Sequence, residues 1–282
     1  MVVVKRTLTL LIAIPLISSI IYWGSANVFL IIAILVAGTA LFEYLSFNLP
    51  GSTLLTRFNL VITGVLSIVF VRMYFQRAIY INSSQETEWL LPSLLIVLTL
   101  GAFAALIRKF LLFPDKRAFQ DNISVALIGI VYICIFLSYL VLIRNRTDGV
   151  NWIFFVLIVL WMGDTGAYIV GSLMGKRKLC PRISPNKTVE GALAGLVFSV
   201  LAGLVCKHFF LTELTVPHCL ILTGGIACMG QLGDLCESIF KRERGVKDSG
   251  SLLPGHGGIL DRIDSLLFAA PLLYYYIAFL LD

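Results

Sequence analysis

A chain of 282 residues has room for one or two water-soluble domains, but this one is 59% hydrophobic and 13% charged, with a mean hydropathy of +0.94, which excludes ordinary soluble-domain composition. Its formal net charge of +6 would suit a nucleic-acid binder only if the basic residues formed one patch, and they are distributed by loop instead. Six cysteines without CxxC spacing, most of them inside apolar runs, read as small packing residues rather than as a disulfide framework or zinc ligands.

Nine mostly apolar stretches follow in chain order, at 7–23, 26–47, 58–75, 89–107, 123–143, 152–173, 188–207, 218–239 and 260–281. At about 20 residues each can cross a hydrocarbon core of roughly 30 Å as a helix. Helices are expected because an open sheet edge cannot satisfy its backbone in lipid. The fold class is therefore all-α, a polytopic integral membrane protein with about nine transmembrane helices. Lys5 and Arg6 before the first run also fit a secretory signal, but Gly24-Ser25-Ala26 is a poor cleavage site, and the run reads as a first span. Lysine and arginine alternate by loop: seventeen of the 22 lie on one side, and Arg72, Arg77, Arg144, Arg146 and Lys207 lie on the other. This positive-inside bias places the N-terminus in the cytoplasm and the C-terminus outside, and leaves nucleic-acid binding without support.

Two regions differ in character. Residues 1–150 read as membrane scaffold and lipid-contact helices, since their apolar runs hold almost no ionisable groups; Glu43 is the exception and, with no accompanying motif, reads as half of a structural ion pair. Residues 151–282 read as the catalytic membrane region. Charged and glycine-rich strings lie in or against its spans: WMGDTGAY at 161–168, GKRKLCPRISPNKTVEG at 175–191, GQLGDLCESIFKR at 230–242 and KDSGSLLPGHGGILDRID at 247–264.

Asp164, Asp234, Glu237, Asp261 and Asp264 all fall in or at the ends of spans. An ionised carboxylate at membrane depth is costly unless it is paired or bound to a cation. Spacing of three places Asp234 with Glu237, and Asp261 with Asp264, on shared helix faces, and the 241–259 loop makes their spans neighbours. A divalent cation is the simplest neutraliser of converging carboxylates, and oxygen ligands favour Mg²⁺. The competing reading is pairing with Lys241, Arg242 or Arg262 and no metal; for Asp164 it is a hydrogen bond to Thr165 or Tyr168.

Basic residues supply the complement for a polyphosphate. Lys176, Arg177, Lys178, Arg182 and Lys187 share one loop, and Lys241, Arg242, Arg244 and Lys247 the next. Either cluster alone is accounted for by topology or by anionic headgroups. Ser184-Pro185-Asn186-Lys187-Thr188 adds hydroxyl donors just before a helix N-terminus, where backbone N–H groups face an anion. Glycines flanking His256 allow close backbone approach, but no strand precedes them, so neither a Rossmann nor a P-loop site is supported. His256 could serve as a general base; because a phosphate monoester is already anionic, a positioning or phosphate-contact role fits better. His208 and His218 read as solvated loop residues.

The string from Ser238 to Asp264 follows S-x-x-K-R-x4-K-D … H-G-G-x-x-D-R-x-D at every defined position and resembles the signature of the phosphatidate cytidylyltransferases, or CDP-diacylglycerol synthases. The strings beginning Trp161-x-x-Asp164, Ser184-Pro185-x-Lys187 and Gly233-Asp234 are similar to other blocks of that family, and Asn186 stands where the family often has a second lysine. The likeness covers roughly residues 160–264. It implies an integral membrane enzyme that joins CTP to phosphatidate, giving CDP-diacylglycerol and pyrophosphate, and that acts as a homodimer. It also implies Mg²⁺ with K⁺ as second cation, held at Asp234 and Asp261. The expected catalytic set is Asp234, Asp261, Asp264, Lys247 and His256; Ser184, Lys187, Thr188, Lys241, Arg242, Arg262 and Asp164 are expected to bind substrate. The expected location is a bacterial inner membrane, with the site facing the cytoplasm. Alternatives are a cytidylyltransferase for another lipid phosphate, a CTP-dependent polyprenol kinase, against which the full signature argues, and a cation-coupled transporter, for which repeated halves are missing.

Overall fold

The structure is a computed structural model that describes residues 15–80, 95–96, 98–100, 102–103, 107, 122–252 and 257–281. Among them, seven helical spans are long and apolar enough to cross a bilayer. They are α1 (Ala26–Asn48) and α2 (Leu54–Tyr80); a continuous rod of α3 (Asn122–Gly129), a π-helical stretch (Ile130–Ile135) and α4 (Phe136–Arg144); then α5 (Gly149–Met174), α6 (Val189–Phe209), α7 (Val216–Glu243) and α8 (Leu260–Leu280). Of the other two expected spans, 7–23 is helical over its described part, 15–23, and most of 89–107 lies outside the described residues.

Local chemistry sets the helix ends. Ser25 caps α1, its hydroxyl accepting from Val28 N–H at 3.3 Å. Pro217 occupies the first turn of α7, where its missing N–H leaves no bond unmade. At the other end of α7, Gly245 adopts φ +70°, and Val246 and Gly245 donate to the carbonyls of Lys241 and Arg242, a Schellman closure that only a glycine enters without strain. One element is absent from the helical expectation: a short antiparallel hairpin of β1 (Lys178–Cys180) and β2 (Ser184–Thr188). Pro181 starts its turn, which closes through Ile183 N–H to the Cys180 carbonyl at 3.1 Å.

The chain forms two compact units. The first comprises Met1–Leu142 and Phe240–Arg262. Its core gathers Leu41, Tyr44, Leu45, Tyr132, Phe136 and Phe240, all buried, with the Tyr44 and Phe240 rings edge to face at 5.3 Å. Gly64 and Gly129 admit close helix approach, since a side chain there would strike Leu41 and Cys134, or Tyr44.

The second unit comprises Ile143–Ile239 and Ile263–Asp282. Helices α5 and α6 meet along two tracks of small residues four apart, Gly163, Ala167 and Gly171 against Gly191, Gly195 and Ser199. A Cβ added to Gly195 would crowd the Gly163 carbonyl and Ala167, and one added to Gly163 would strike the Ser199 hydroxyl. Lipid gives helices no hydrophobic reason to associate, so this close van der Waals fit is what holds them together. The opposite face of α6, with Leu193, Val197, Leu201 and Val205, is exposed and apolar, as a lipid-facing surface should be. Gly233 of α7 lies against the Asp264 backbone and Phe268 of α8, which makes these two helices neighbours.

Candidate active site

The signature residues of the first unit fold around Asp261. Its side chain is 7% exposed, and its Oδ1 accepts from the Lys241 ammonium at 2.6 Å. Ser249 N–H approaches both carboxylate oxygens, at 3.2 and 3.0 Å, and Gly258 N–H donates to Oδ2 at 2.8 Å. Gly257, at φ +80°, has no room for a side chain, because a Cβ would run into the same Oδ2. Lys241 is buried, whereas Arg242, Lys247 and Arg262 are exposed. Arg242 donates to the Val246 carbonyl at 3.1 Å, across the helix closure.

Glu43 enters this cluster from α1. It accepts from the backbone amides of Ile259 and Leu260, each at 3.0 Å, and from the Ser249 hydroxyl at 3.1 Å. Among the described residues the structural ion pair expected for it is not formed: its partners there are neutral donors from the signature segment. The reason is geometric, because the N-terminus of α8 presents amides with no acceptor inside the helix, and a carboxylate satisfies them while opposing the helix dipole.

In the second unit the hairpin delivers Lys187, whose ammonium meets Asp234 Oδ2 at 2.6 Å. This pair is more open, with side chains 28% and 34% exposed. Ser238, one turn on, donates to Asp234 Oδ1 at 3.5 Å. Thr188 is buried, and its hydroxyl caps α6 by accepting from Gly191 N–H at 3.1 Å. Glu190 holds the hairpin base by accepting from the amides of Lys176 and Arg177 at 3.1–3.3 Å. Ser184 is half-buried on β2. Asp164 is exposed on α5, and the neighbouring Thr165 directs its hydroxyl to the Trp161 carbonyl at 2.7 Å. Asp264 is buried, with Ser265 N–H on its Oδ1 at 2.7 Å, and Glu237 is buried completely.

The structure thus groups Lys241 and Asp261 in one cluster, and Lys187, Asp234 and Ser238 in another. His256 lies outside the described residues. Sequence reasoning missed Glu43, Ser249 and Glu190 as contributors. Ser249 and Glu190 stand inside the motif strings already singled out; Glu43 carried only the signal of being a lone acid in an apolar span.

Carboxylate and hydroxyl oxygens are the donors a hard cation prefers. Asp234 is partly open and offers such oxygens, and a cation there would take the place of the Lys187 ammonium. At Asp261 a cation would take the place of the Lys241 ammonium, since the amides of Ser249 and Gly258 occupy the rest of the carboxylate. Among the described residues no three His, Cys, Asp or Glu side chains gather as a preformed cage.

Seven long apolar helices among the described residues define an integral membrane protein. A sequence model of the Cytidylyltransferase family matches residues 4–280. The chain is 39% identical to a phosphatidate cytidylyltransferase of Staphylococcus saprophyticus over 274 residues, 95% of this chain and 96% of that protein. It is 37% identical to one from Staphylococcus haemolyticus, with the same coverage. A Bacillus subtilis phosphatidate cytidylyltransferase is 41% identical over 189 residues, 66% of this chain and 67% of the relative. The chain belongs to the cytidylyltransferase family.

Proposed function

We propose that this protein transfers the cytidylyl group of CTP to phosphatidate, forming CDP-diacylglycerol and releasing pyrophosphate. The observation that carries the reading is the folding of the signature segment: its lysine and aspartate, Lys241 and Asp261, form a buried 2.6 Å pair tied to the segment's own backbone. In the reaction an oxygen of the lipid phosphate bonds to the α-phosphorus of CTP as the bond to the β-phosphate oxygen breaks, and that electron pair leaves with pyrophosphate. Both reactants are anions, so charge repulsion is the chief barrier that the protein must offset. Lys187 and Lys241, now on carboxylates, and the exposed Arg242, Lys247 and Arg262 are the groups that hold phosphate oxygens, the arginines in two-pronged fashion. Ser184 and Thr188 complete the substrate-side set, Asp164 and Asp264 are the nearby carboxylates that position the cation or its water, and His256 is assigned a positioning role.

Mg²⁺ and a second cation, K⁺, are proposed to be held by Asp234 and Asp261; when bound they supply positive charge to the phosphate oxygens. The charge bias among the loops supports a cytoplasmic N-terminus and a site on the cytoplasmic side, where CTP is available while acyl chains remain in lipid. Homodimer assembly is carried over from the family resemblance, and a bacterial inner membrane is the proposed location. The test is incubation of the purified protein with phosphatidate vesicles, Mg²⁺ and CTP labelled at either the α- or the γ-phosphate. The α-label should enter lipid and the γ-label should not. Entry of the γ-label would instead identify a lipid kinase, and entry of neither would overturn the proposal.

A further inference from the structure

We infer that Glu43 is the positioning residue of the signature segment, acting through Ser249 and the first amides of α8 to hold Asp261 in place. The inference rests on the proposed cytidylyl transfer for its kinetic consequence, but not for its structural one. Three features support it. First, two carboxylates interlock across one residue: Ser249 gives its N–H to Asp261 and its hydroxyl to Glu43, and is itself buried. Second, Glu43 and Asp261 take consecutive amides, Asp261 that of Gly258 and Glu43 those of Ile259 and Leu260. Loss of Glu43 would leave the two amides it holds without acceptors at the start of the helix that carries Asp261. Third, the backbone is shaped around the Glu43 carboxylate, since a Cβ at either Gly250 or Gly258 would collide with it.

A glutamine at position 43 keeps the size but turns one acceptor oxygen into an NH₂ that faces donors. Glu43→Gln should therefore loosen the segment without touching substrate. Because Asp261 is proposed to hold a cation at the reacting phosphates, the loss should fall on kcat, by about 10- to 100-fold, with KM for CTP changed less than about 3-fold. Ser249→Ala removes one donor from Glu43 and should cost less, and the double variant should lose less than the product of the two single losses, since both disrupt one network.

Hydrogen exchange read at Ile259 and Leu260 in detergent-solubilised protein supplies a measurement independent of activity. Glu43→Gln should speed it by about tenfold or more while α5 and α6 keep their protection. Unchanged exchange at those two amides would overturn the inference even if the wild type made no CDP-diacylglycerol, in which case the proposed activity would fall separately. With an active wild type, full kcat in Glu43→Gln, or losses in the double variant that simply multiply, would overturn it as well. If Glu43→Gln cannot be purified folded, the Ser249→Ala kinetics and exchange decide: no effect on either contradicts the network.

Discussion

Lys241→Met isolates the worth of the buried pair in the signature cluster. Lys241 and Asp261 meet at 2.6 Å with side chains only 10% and 7% exposed, so removing the ammonium leaves a carboxylate that water barely reaches. Breaking a buried ion pair from one side costs about 3–5 kcal/mol. Here the amides of Ser249 and Gly258 remain on Asp261, so the loss falls nearer that of one charge-assisted hydrogen bond, about 2–3 kcal/mol. Lys187→Met breaks a pair of the same 2.6 Å length whose side chains are 28% and 34% exposed. Solvent screening reduces such a pair to about 0–1 kcal/mol. At about 2–4 °C per kcal/mol, the first variant should lower the apparent Tm by about 5–10 °C and the second by less than about 4 °C. The assay is loss of monodisperse protein after heating in detergent, followed by size-exclusion chromatography with fluorescence detection at one fixed heating schedule, because membrane proteins unfold irreversibly. Adding Asp261→Asn to Lys241→Met should restore part of the loss by removing the stranded charge. Equal shifts for the two lysine variants would refute the assignment of stability to burial of the pair.

Further outcomes follow from other parts of the fold. Asp234→Asn and Asp261→Asn should each abolish cytidylyl transfer while the protein still inserts into the membrane; substantial turnover at saturating Mg²⁺ would remove the proposed cation role. Gly203→Ala should lower stability by about 1–3 kcal/mol, because its new methyl group meets the buried Thr223, whereas Gly224→Ala, with nothing near its Cβ, should be neutral or stabilise by about 0.5–1 kcal/mol. Comparing the two apparent Tm values checks this. Thr188→Val keeps the side-chain shape but deletes the α6 cap and should cost about 1 kcal/mol, read as a fall of about 2–4 °C.

Much of the candidate site could be read directly from the chain because its residues lie in short strings with rigid spacing. Lys241 was named as a potential partner for the signature acids, and it pairs with Asp261. Lys187 was assigned to phosphate, yet its contact here is Asp234, brought to it by a hairpin that no periodicity signals in a stretch this short and polar. Glu43 was hardest to place: its partners are 206 to 217 residues away, and nothing adjacent to it marks a binding role. A lone acid in an apolar span shows that something must compensate it, but not what.

The amino-acid sequence by itself determined the helical membrane character and the positions of most spans, because hydrophobicity and charge act locally and need no folded partner to be recognised. Tertiary structure alone decided which carboxylate meets which lysine, that α5 and α6 close along facing small residues, and that Glu43 belongs to the signature segment. Those outcomes depend on the direction in which each side chain leaves its helix and on how closely two backbones approach, and neither quantity exists until the helices have packed.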